Sequence, residues 1–330
     1  MYYFKRYFLI IIITVLILLN LIPTPYFLII PGQAINLSKN ITVENGEKDA
    51  KGQFLLTSTA IIKANLLSYI YGFLDPNIDL QNGDDEILLN MKQQEYIDIM
   101  EKLMQASQVI SKVVALRKAG YSPELSGQGI LVNGTLDTSP AKNKLLPGDV
   151  IIKMDEKQIY TLEEFSEIIR SYHLSQIIKI TFLRDNGTYS TSIPLIELPS
   201  TDDETEGIGI GIYADTKGLQ CRFPLKIEIN LEKIKGSSAG LMIALEILNQ
   251  LTENDLSSGL LIAGTGNLSM DGRIGEVDGI KQKIISAKKH QADVFLVPQK
   301  NYTEALKFSH GIKIIPVDDF DDAIMKLIKL

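Results

Sequence analysis

The chain has 330 residues, of which 22% are charged and 45% hydrophobic, and its formal net charge is -7. This length predicts two or three folded domains, and the acidic balance excludes a broad electrostatic attraction to nucleic acid. The single cysteine, Cys221, excludes an intramolecular disulfide. Three histidines without ligand spacing argue against a structural zinc site, and no cofactor is expected.

An almost unbroken apolar run covers residues 7–22 and resumes after Pro23 and Pro25 up to Ile30. The stretch is long enough for a transmembrane helix, which needs about 20 residues. A cleavable signal peptide and a buried core helix are the alternatives, but no small-residue cleavage site follows the run. We therefore expect residues 1–30 to form a cytoplasmic end and an uncleaved transmembrane anchor.

Basic residues flank this run unequally, because Lys5 and Arg6 precede it and the next basic residue is Lys39. The positive-inside rule places the N-terminus in the cytoplasm and the rest of the chain outside the cell membrane. The sequence thus predicts a single-pass membrane protein with extracellular domains. An intracellular quality-control protease with the opposite orientation is the alternative.

Residues 31–119 are predicted to form a region of strands and one amphipathic helix. Between residues 35 and 62, apolar and polar residues alternate around Asn45-Gly46, which is typical of short strands joined by tight turns. Between residues 87 and 118, apolar residues recur three or four positions apart, which predicts a helix that is broken at most once.

Residues 120–200 carry a characteristic series of turns. Strands are predicted to begin near residues 127 and 146, Ser139-Pro140-Ala141 marks a turn, and a helix follows Thr161, whose hydroxyl can cap it. In this order and spacing, the segments resemble a PDZ domain over roughly residues 115–198.

The PDZ resemblance implies a peptide-binding domain in which the peptide adds a strand to a sheet edge. Its carboxylate would be held by the backbone amides of Gly127, Gln128, Gly129 and Ile130. Alternatively, these glycines only shape a hairpin.

Residues 201–330 form the last predicted domain. An acidic stretch over residues 201–207 is expected to be a solvated linker rather than a cation site. Strand and helix patterns then alternate to the end of the chain, which indicates an α/β domain with a hairpin at Asp271-Gly272. The fold class is therefore multidomain α/β, with a transmembrane helix, a small β-plus-helix region, a PDZ-like domain and a C-terminal α/β domain.

The segment Gly236-Ser237-Ser238-Ala239-Gly240 opens directly into a predicted helix. Glycines allow a sharp turn beside Ser238, and the amides of Gly236, Ser237 and Ala239 at the helix N-terminus could stabilise an oxyanion. Ser238 is therefore a candidate nucleophile, although a helix cap is the commoner role of such a serine.

Further motifs follow this segment: Gly264-Thr265-Gly266, the Asp271-Gly272 turn, and Gly279-Ile280-Lys281-Gln282-Lys283. Together with Ser238-Ala239-Gly240 they resemble the proteolytic domain of Lon-type peptidases over about 120 residues. The resemblance implies a Ser-Lys dyad in which Ser238 is the nucleophile, Lys281 is the general base and Thr265 orients the lysine amine.

A lysine acts as a base only when it is neutral, so its amine must be sheltered from water. The neighbours Ile280, Ile284 and Ile285 could provide that shelter, whereas Asp278 would favour the charged amine and oppose base function. Without the family pattern, Lys281 is read as a solvated surface lysine.

The order of anchor, PDZ-like domain and Lon-like domain resembles a group of bacterial membrane proteases, the SepM/YlbL group. It implies an ATP-independent serine endopeptidase that cleaves exported peptides or small surface proteins, including signalling peptides. The expected partners are a peptide or protein substrate and the membrane, and the resemblance allows a homo-oligomer. The alternative function is an inactive surface scaffold or peptide receptor.

Overall fold

The computed structural model describes residues 2–48, 51–82, 93–185, 187–198, 207–231 and 234–330, and the chain divides into two compact units. Unit 1 comprises Met1–Ser122 and Pro224–Leu330, and unit 2 comprises Pro123–Phe223. Unit 2 is thus inserted between the two segments of unit 1. The regions 31–119 and 201–330, which the sequence treated as separate domains, both contribute to unit 1.

The N-terminal helix α1 covers Tyr2–Leu21, and the strand β1 covers Pro23–Asn36. Among the described residues, no helix combines the length and the apolar character that a membrane crossing requires. The predicted transmembrane anchor over residues 1–30 is therefore wrong. Residues 23–30 are strand because Pro23 and Pro25 cannot donate helical hydrogen bonds. The location outside the cell, which depended on that anchor, stays a prediction.

Unit 1 is built on a mixed sheet whose two longest strands are β1 and β3, and β3 covers Gln53–Asn65. The order is β20-β19-β16-β3-β1-β4. Strands β3, β16, β19 and β20 are parallel, whereas β1 is antiparallel to both β3 and β4. The other strands of unit 1 are β2 (Ile41–Val43), β4 (Asp79–Asn82), β15 (Ile227–Ile229), β16 (Leu261–Gly264), β17 (Asn267–Leu268), β18 (Ile274–Gly275), β19 (Val294–Pro298) and β20 (Lys313–Val317).

Helices cover this sheet and complete the core of unit 1. They are α2 (Leu66–Leu74), α3 (Gln93–Lys118), α5 (Gly240–Leu251), α6 (Ile280–Lys289), α7 (Tyr302–Leu306) and α8 (Phe320–Ile328), with a short 3₁₀ turn at Gln299–Asn301. Helix α5 is buried along almost its whole length and packs against α3. The predicted helix over residues 87–118 is confirmed as α3 from Gln93, and its first residues lie outside the described ranges.

Helix α6 is fixed by apolar side chains that recur on one face. Ile280, Ile284 and Ala287 are fully buried and belong to a cluster with Leu55 of β3 and Phe295 of β19. The residue before the helix is Gly279, with a φ of 71°, and a Cβ there would lie 2.6 Å from Thr59 Cγ2. This position therefore requires glycine.

Unit 2 is a small β-domain with one main helix, α4 (Leu162–Arg170). Its sheet has the order β10-β9-β7-β6-β13, with β8 paired to β7. The strands are β5 (Glu124–Ser126), β6 (Ile130–Thr135), β7 (Val150–Met154), β8 (Lys157–Gln158), β9 (Ile177–Arg184), β10 (Gly187–Pro194), β11 (Ile196–Leu198), β12 (Gly207–Gly209), β13 (Ile212–Thr216) and β14 (Gln220–Arg222).

The start of α4 has the predicted cap. Thr161 Oγ1 accepts a hydrogen bond from the Glu164 amide, and the Glu164 carboxylate accepts one from the Thr161 amide. This capping box satisfies two amides at once and directs Phe165 and Ile169 into the core of unit 2. The predicted acidic linker lies mostly outside the described residues.

Candidate active site

The site is built around the tight loop that precedes α5. Gly236 has a φ of 94°, which favours glycine, and its amide donates to the carbonyl of Met100 at 2.9 Å. Ala239 and Gly240 are buried, and a Cβ at Gly240 would lie 2.9 Å from Leu268 Cβ. Close packing thus holds the main chain on both sides of Ser238.

The carboxyl end of β16 lies beside this loop and fixes Ser238. Thr265 follows the strand and is fully buried. Its hydroxyl donates to the Ser238 carbonyl at 3.0 Å, and the Gly266 amide donates to the same oxygen at 2.9 Å. The structure thus brings Thr265 next to Ser238, while its predicted role of orienting the lysine amine stays a prediction.

The lysine beside Ser238 is Lys283. Its Nζ lies 3.2 Å from Ser238 Oγ and 3.1 Å from Thr265 Oγ1, and the residue is only 3% exposed. The fully buried Ile280 and Ile284 lie on the same helical face. The three polar side chains form a compact Ser-Thr-Lys cluster in which the threonine and the lysine are buried.

Burial lowers the pKa of Lys283 from its usual 10.5 to about 8. The cause is the loss of water around the ammonium, which disfavours the charged form. The carboxylates of Asp278 and Glu304 act in the opposite direction and raise the pKa. Since burial outweighs them, Asp278 does not remove the tendency of Lys283 to become neutral near physiological pH.

Lys281 does not contact Ser238, so the expected Ser238-Lys281 contact is wrong. Lys281 Nζ lies 2.5 Å from Asp79 Oδ1 of β4, and Gln282 Nε2 donates to Asp79 Oδ2 at 2.6 Å. Residues two apart on a helix are about 200° apart around its axis. Lys281 therefore lies on a different face from Lys283.

A cleft of about 640 Å³ opens beside Ser238. Its walls are the loop 234–239, residues 56–61 of β3 and the first half of α3, including Tyr96 and Met100. Asp278 and Lys283 also line it. The cleft thus leaves room for a ligand beside Ser238.

Three backbone groups were predicted to stabilise an oxyanion, and they differ in availability. The Gly236 amide already donates to Met100. Among the residues that the structure describes, the amides of Ser237, Ser238 and Ala239 have no acceptor. The helix N-terminus therefore offers Ser237, Ser238 and Ala239 to a ligand, whereas Gly236 is structural.

Two of the four predicted peptide-binding amides of unit 2 are bonded within the fold. Gln128 N donates to the Lys217 carbonyl at 2.8 Å, and Gly129 N donates to the Tyr160 carbonyl at 3.1 Å. Ile130 begins β6, which lies between β7 and β13. A Cβ at Gly127 would lie 2.3 Å from the Tyr160 carbonyl oxygen. Gln128 and Gly129 therefore do not offer free amides to a carboxylate, Ile130 lies within the sheet, and the role predicted for Gly127 stays a prediction.

An open strand edge exists elsewhere in unit 2. Within the described ranges, β13 pairs only with β6 and forms one end of the sheet. Ile212 and Ala214 of β13 are partly buried and pack on the same core as Leu162 and Ile168 of α4. These partly buried side chains lie next to the edge of β13 that pairs with no other strand among the described residues.

Two family models match this chain. Residues 232–329 match the Lon protease (S16) C-terminal proteolytic domain, and residues 112–195 match the PDZ domain. The chain therefore carries a region similar to a PDZ domain, followed by a region similar to the Lon proteolytic domain. The Lon-like match includes Ser238, Thr265 and Lys283, whereas α3 and β3, which line the same cleft, precede it in the sequence.

The individual relatives match parts of the chain. The Lon protease of Campylobacter concisus (strain 13826) is 28% identical over 155 residues, which are 45% of this chain and 18% of that protein. Lon protease 2 of Bacillus subtilis (strain 168) is 30% identical over 95 residues, which are 29% of this chain and 17% of that protein. The chain thus spans less than a fifth of the length of either relative.

A solved structure is similar to the PDZ part. The PDZ domain of the SdrC-like protein from Listeria monocytogenes is 26% identical, and the match covers 26% of this chain and 87% of that one, with a TM-score of 0.24.

The sequence contained a signal for the correct lysine. In the segment 280–287, the positions i, i+3, i+4 and i+7 are Ile280, Lys283, Ile284 and Ala287. These positions share one helical face, so Lys283 is the lysine on the apolar side. The family resemblance had instead assigned the base to the first lysine of this segment, Lys281.

Proposed function

We propose that this chain is an ATP-independent serine endopeptidase in which Ser238 is the nucleophile and Lys283 is the general base. The observation that carries the proposal is the 3.2 Å distance from Lys283 Nζ to Ser238 Oγ, with the lysine almost fully buried. Burial disfavours the charged form of this lysine. A neutral lysine amine beside a serine hydroxyl can accept the hydroxyl proton.

The neutral Lys283 amine has two N–H groups and one lone pair. Thr265 Oγ1 accepts one N–H, because the Thr265 hydroxyl is already used as a donor to the Ser238 carbonyl. This arrangement orients the lone pair of the amine toward the Ser238 hydroxyl. Thr265 is therefore proposed to position the base.

Proton transfer to Lys283 allows Ser238 Oγ to attack a peptide carbonyl in the cleft. The negative charge that develops on the carbonyl oxygen is stabilised by amides of the loop before α5. Lys283 then returns the proton to the leaving amine, and an acyl-enzyme remains on Ser238. Water, deprotonated by Lys283, hydrolyses this ester and restores the free serine.

The substrates that fit are short, extended or already unfolded. The sequence contains no Gly-x-x-x-x-Gly-Lys-Ser/Thr phosphate loop, so we propose that the chain cleaves without an ATP-driven unfolding step of its own. Exported peptides, signalling peptides among them, and a homo-oligomeric assembly stay predictions.

We further propose that the PDZ domain binds a peptide along the open edge of β13 rather than at residues 127–130. An unpaired edge can accept an added strand through main-chain hydrogen bonds. Ile212 and Ala214, together with Leu162 of α4, provide apolar contacts for alternate side chains of that strand. The PDZ domain would then recruit substrates for the Lon-like domain.

The deciding experiment compares Ser238→Ala, Lys283→Met and the matched control Lys281→Met on a flexible fluorogenic peptide and on casein. We expect the first two variants to lose cleavage and Lys281→Met to retain most of it, with folded circular dichroism spectra for all three. Normal cleavage by Ser238→Ala or Lys283→Met would refute the proposed dyad. Loss of activity in Lys281→Met alone would restore the assignment made from the sequence.

A further inference from the structure

Helix α3 contacts the loop before α5 through two buried serines. Ser107 Oγ donates to the Ser237 carbonyl at 3.0 Å. Ser111 Oγ lies 2.9 Å from the Gly240 carbonyl and 2.7 Å from the Ser107 carbonyl. Ser107 is 4% exposed and Ser111 is fully buried. The proton transfer from Ser238 to Lys283 uses neither serine, so their role needs a separate explanation.

The two contacts have different targets. Ser111 binds the carbonyl of Gly240, the first residue of α5, and thus joins two packed helices. Ser107 instead binds the carbonyl of the residue that precedes the nucleophile. The Gly240 amide is a second donor to this Ser237 carbonyl, at a longer distance of 3.3 Å. Ser107 therefore makes the shorter of the two bonds that fix this carbonyl.

The orientation of the Ser237 carbonyl determines the orientation of the Ser238 amide. Both groups belong to one planar peptide unit, and the described part of the chain contains no cis peptide. In a trans peptide the N–H points opposite to the C=O. A carbonyl directed at Ser107 thus turns the Ser238 N–H away from α3. This N–H has no acceptor among the described residues.

We propose that Ser107 is a positioning residue that aligns the Ser238 amide as a donor to the oxyanion. The inference rests on the proposed function, because it assigns a role in the same reaction. Without the Ser107 bond, the Ser237 carbonyl keeps only the longer bond from Gly240 among the described residues, so the peptide unit between Ser237 and Ser238 is less firmly oriented. The amide then points less accurately at the developing negative charge.

The expected effect is confined to the transition state. Removal of one oxyanion donor typically lowers kcat by about 100-fold to 1,000-fold. Because Ser107 acts through the amide and does not replace it, we expect Ser107→Ala to lower kcat by roughly 10-fold to 100-fold. KM and the pH midpoint should be unchanged, since neither the cleft nor the environment of Lys283 is altered.

The test measures kcat, KM and melting temperature for the full chain, together with the affinity of a peptide boronate. The boronate forms a tetrahedral adduct with Ser238 and places an oxygen at the oxyanion position. We expect Ser107→Ala to weaken the boronate by about the same factor as kcat, and Ser107→Cys, which keeps a weak donor of similar size, to give an intermediate loss. Ser111→Ala and Ser139→Ala, which remove buried hydroxyls in unit 1 and unit 2, are the controls.

Two results would overturn the inference. One is a Ser107→Ala variant with wild-type kcat and boronate affinity. The other is that Ser107→Ala and Ser111→Ala change kcat, KM and melting temperature to the same extent. That result would indicate that Ser107 only contributes to the packing of the helices. Failure of the proposed function is distinguishable, because the wild-type chain would then form no boronate adduct and cleave no peptide.

Discussion

Asp79 of β4 binds two adjacent residues of α6, because its carboxylate contacts both Lys281 Nζ at 2.5 Å and Gln282 Nε2 at 2.6 Å. The Lys281 side chain is only 18% exposed, yet it has a carboxylate partner outside the Ser-Thr-Lys cluster. Two lysines separated by one residue thus have different partners, and substitution of each lysine can test its role separately.

Lys283→Met should lower kcat/KM by at least about 1,000-fold, in line with the loss of a general base. Lys281→Met should lower kcat/KM by less than about 10-fold, because Lys281 does not contact Ser238. The variant should stay folded, since a partly exposed ion pair contributes little to stability. Steady-state kinetics on one fluorogenic peptide compares both variants. Equal losses would show that the two lysines act together.

Activity should increase with pH through the pKa of Lys283, which is about 8. The amine must be neutral to accept the Ser238 proton, so at pH 7 only about a tenth of the molecules are active. Asp278 raises this pKa, so Asp278→Asn should move the midpoint of the kcat/KM profile to lower pH. Profiles between pH 6 and 10 give both midpoints. A midpoint that moves upward would contradict the assignment of the base.

Burial of the Lys283 ammonium should lower the free energy of unfolding of the chain. Its pKa is lower in the folded chain than in the unfolded one, so the unfolded state binds more protons between about pH 8 and 10.5, and stability increases with pH across this interval. Below pH 8 the penalty is complete and amounts to about 3 kcal/mol. Lys283→Met should therefore raise the midpoint of urea unfolding at pH 7, and this gain should shrink above pH 9. A variant less stable than the wild type would indicate that the ammonium is better solvated than its burial implies.

Thr265→Val should lower kcat/KM by roughly 10-fold to 100-fold. The substitution keeps the side-chain shape but removes the acceptor of Lys283 and one donor to the Ser238 carbonyl. Gly266 still binds that carbonyl, so the loss of stability should be about 1 kcal/mol. Thr265→Ser retains the hydroxyl and is the control. Kinetics measures the change in kcat/KM, and thermal melting measures the change in stability. Wild-type activity of Thr265→Val would show that Thr265 does not contribute to the mechanism.

Peptide binding by the PDZ domain should depend on the inward face of β13. Ala214→Glu places a charge beside the apolar groove and should weaken the binding of a labelled peptide by more than about 10-fold. Tyr213 is the adjacent residue and is exposed, so Tyr213→Glu is the matched control and should have little effect. Fluorescence anisotropy with the Ser238→Ala chain measures binding without cleavage. A peptide that binds equally to both variants must use another surface.

The sequence predicted the features that depend on local patterns. The cap at Thr161, the helix that begins at Ile280 and the turn before α5 were predicted because each one is determined by neighbouring residues. Asp79 and Ser107 were not predicted, since their roles depend on partners more than 100 positions away. No pattern within one segment indicates such contacts.

Two errors had specific physical causes. The apolar run was extended past Pro23, although a proline ends helical hydrogen bonding and the chain continues as β1. The amides near residue 127 were assigned to a ligand from the resemblance to PDZ domains. The sequence does not show whether a backbone amide is free or is bonded within the fold. Only the positions of the Lys217 and Tyr160 carbonyls distinguish the two cases.

The insertion of unit 2 has a consequence for biosynthesis. Strand β3 needs β16 as its parallel neighbour, but about 200 residues must leave the ribosome between the two, at about 5–20 residues per second. Ser238 is synthesised before Lys283. The proposed base is therefore absent until α6 has been synthesised, and the proposed Ser-Lys dyad is incomplete in a nascent chain until then.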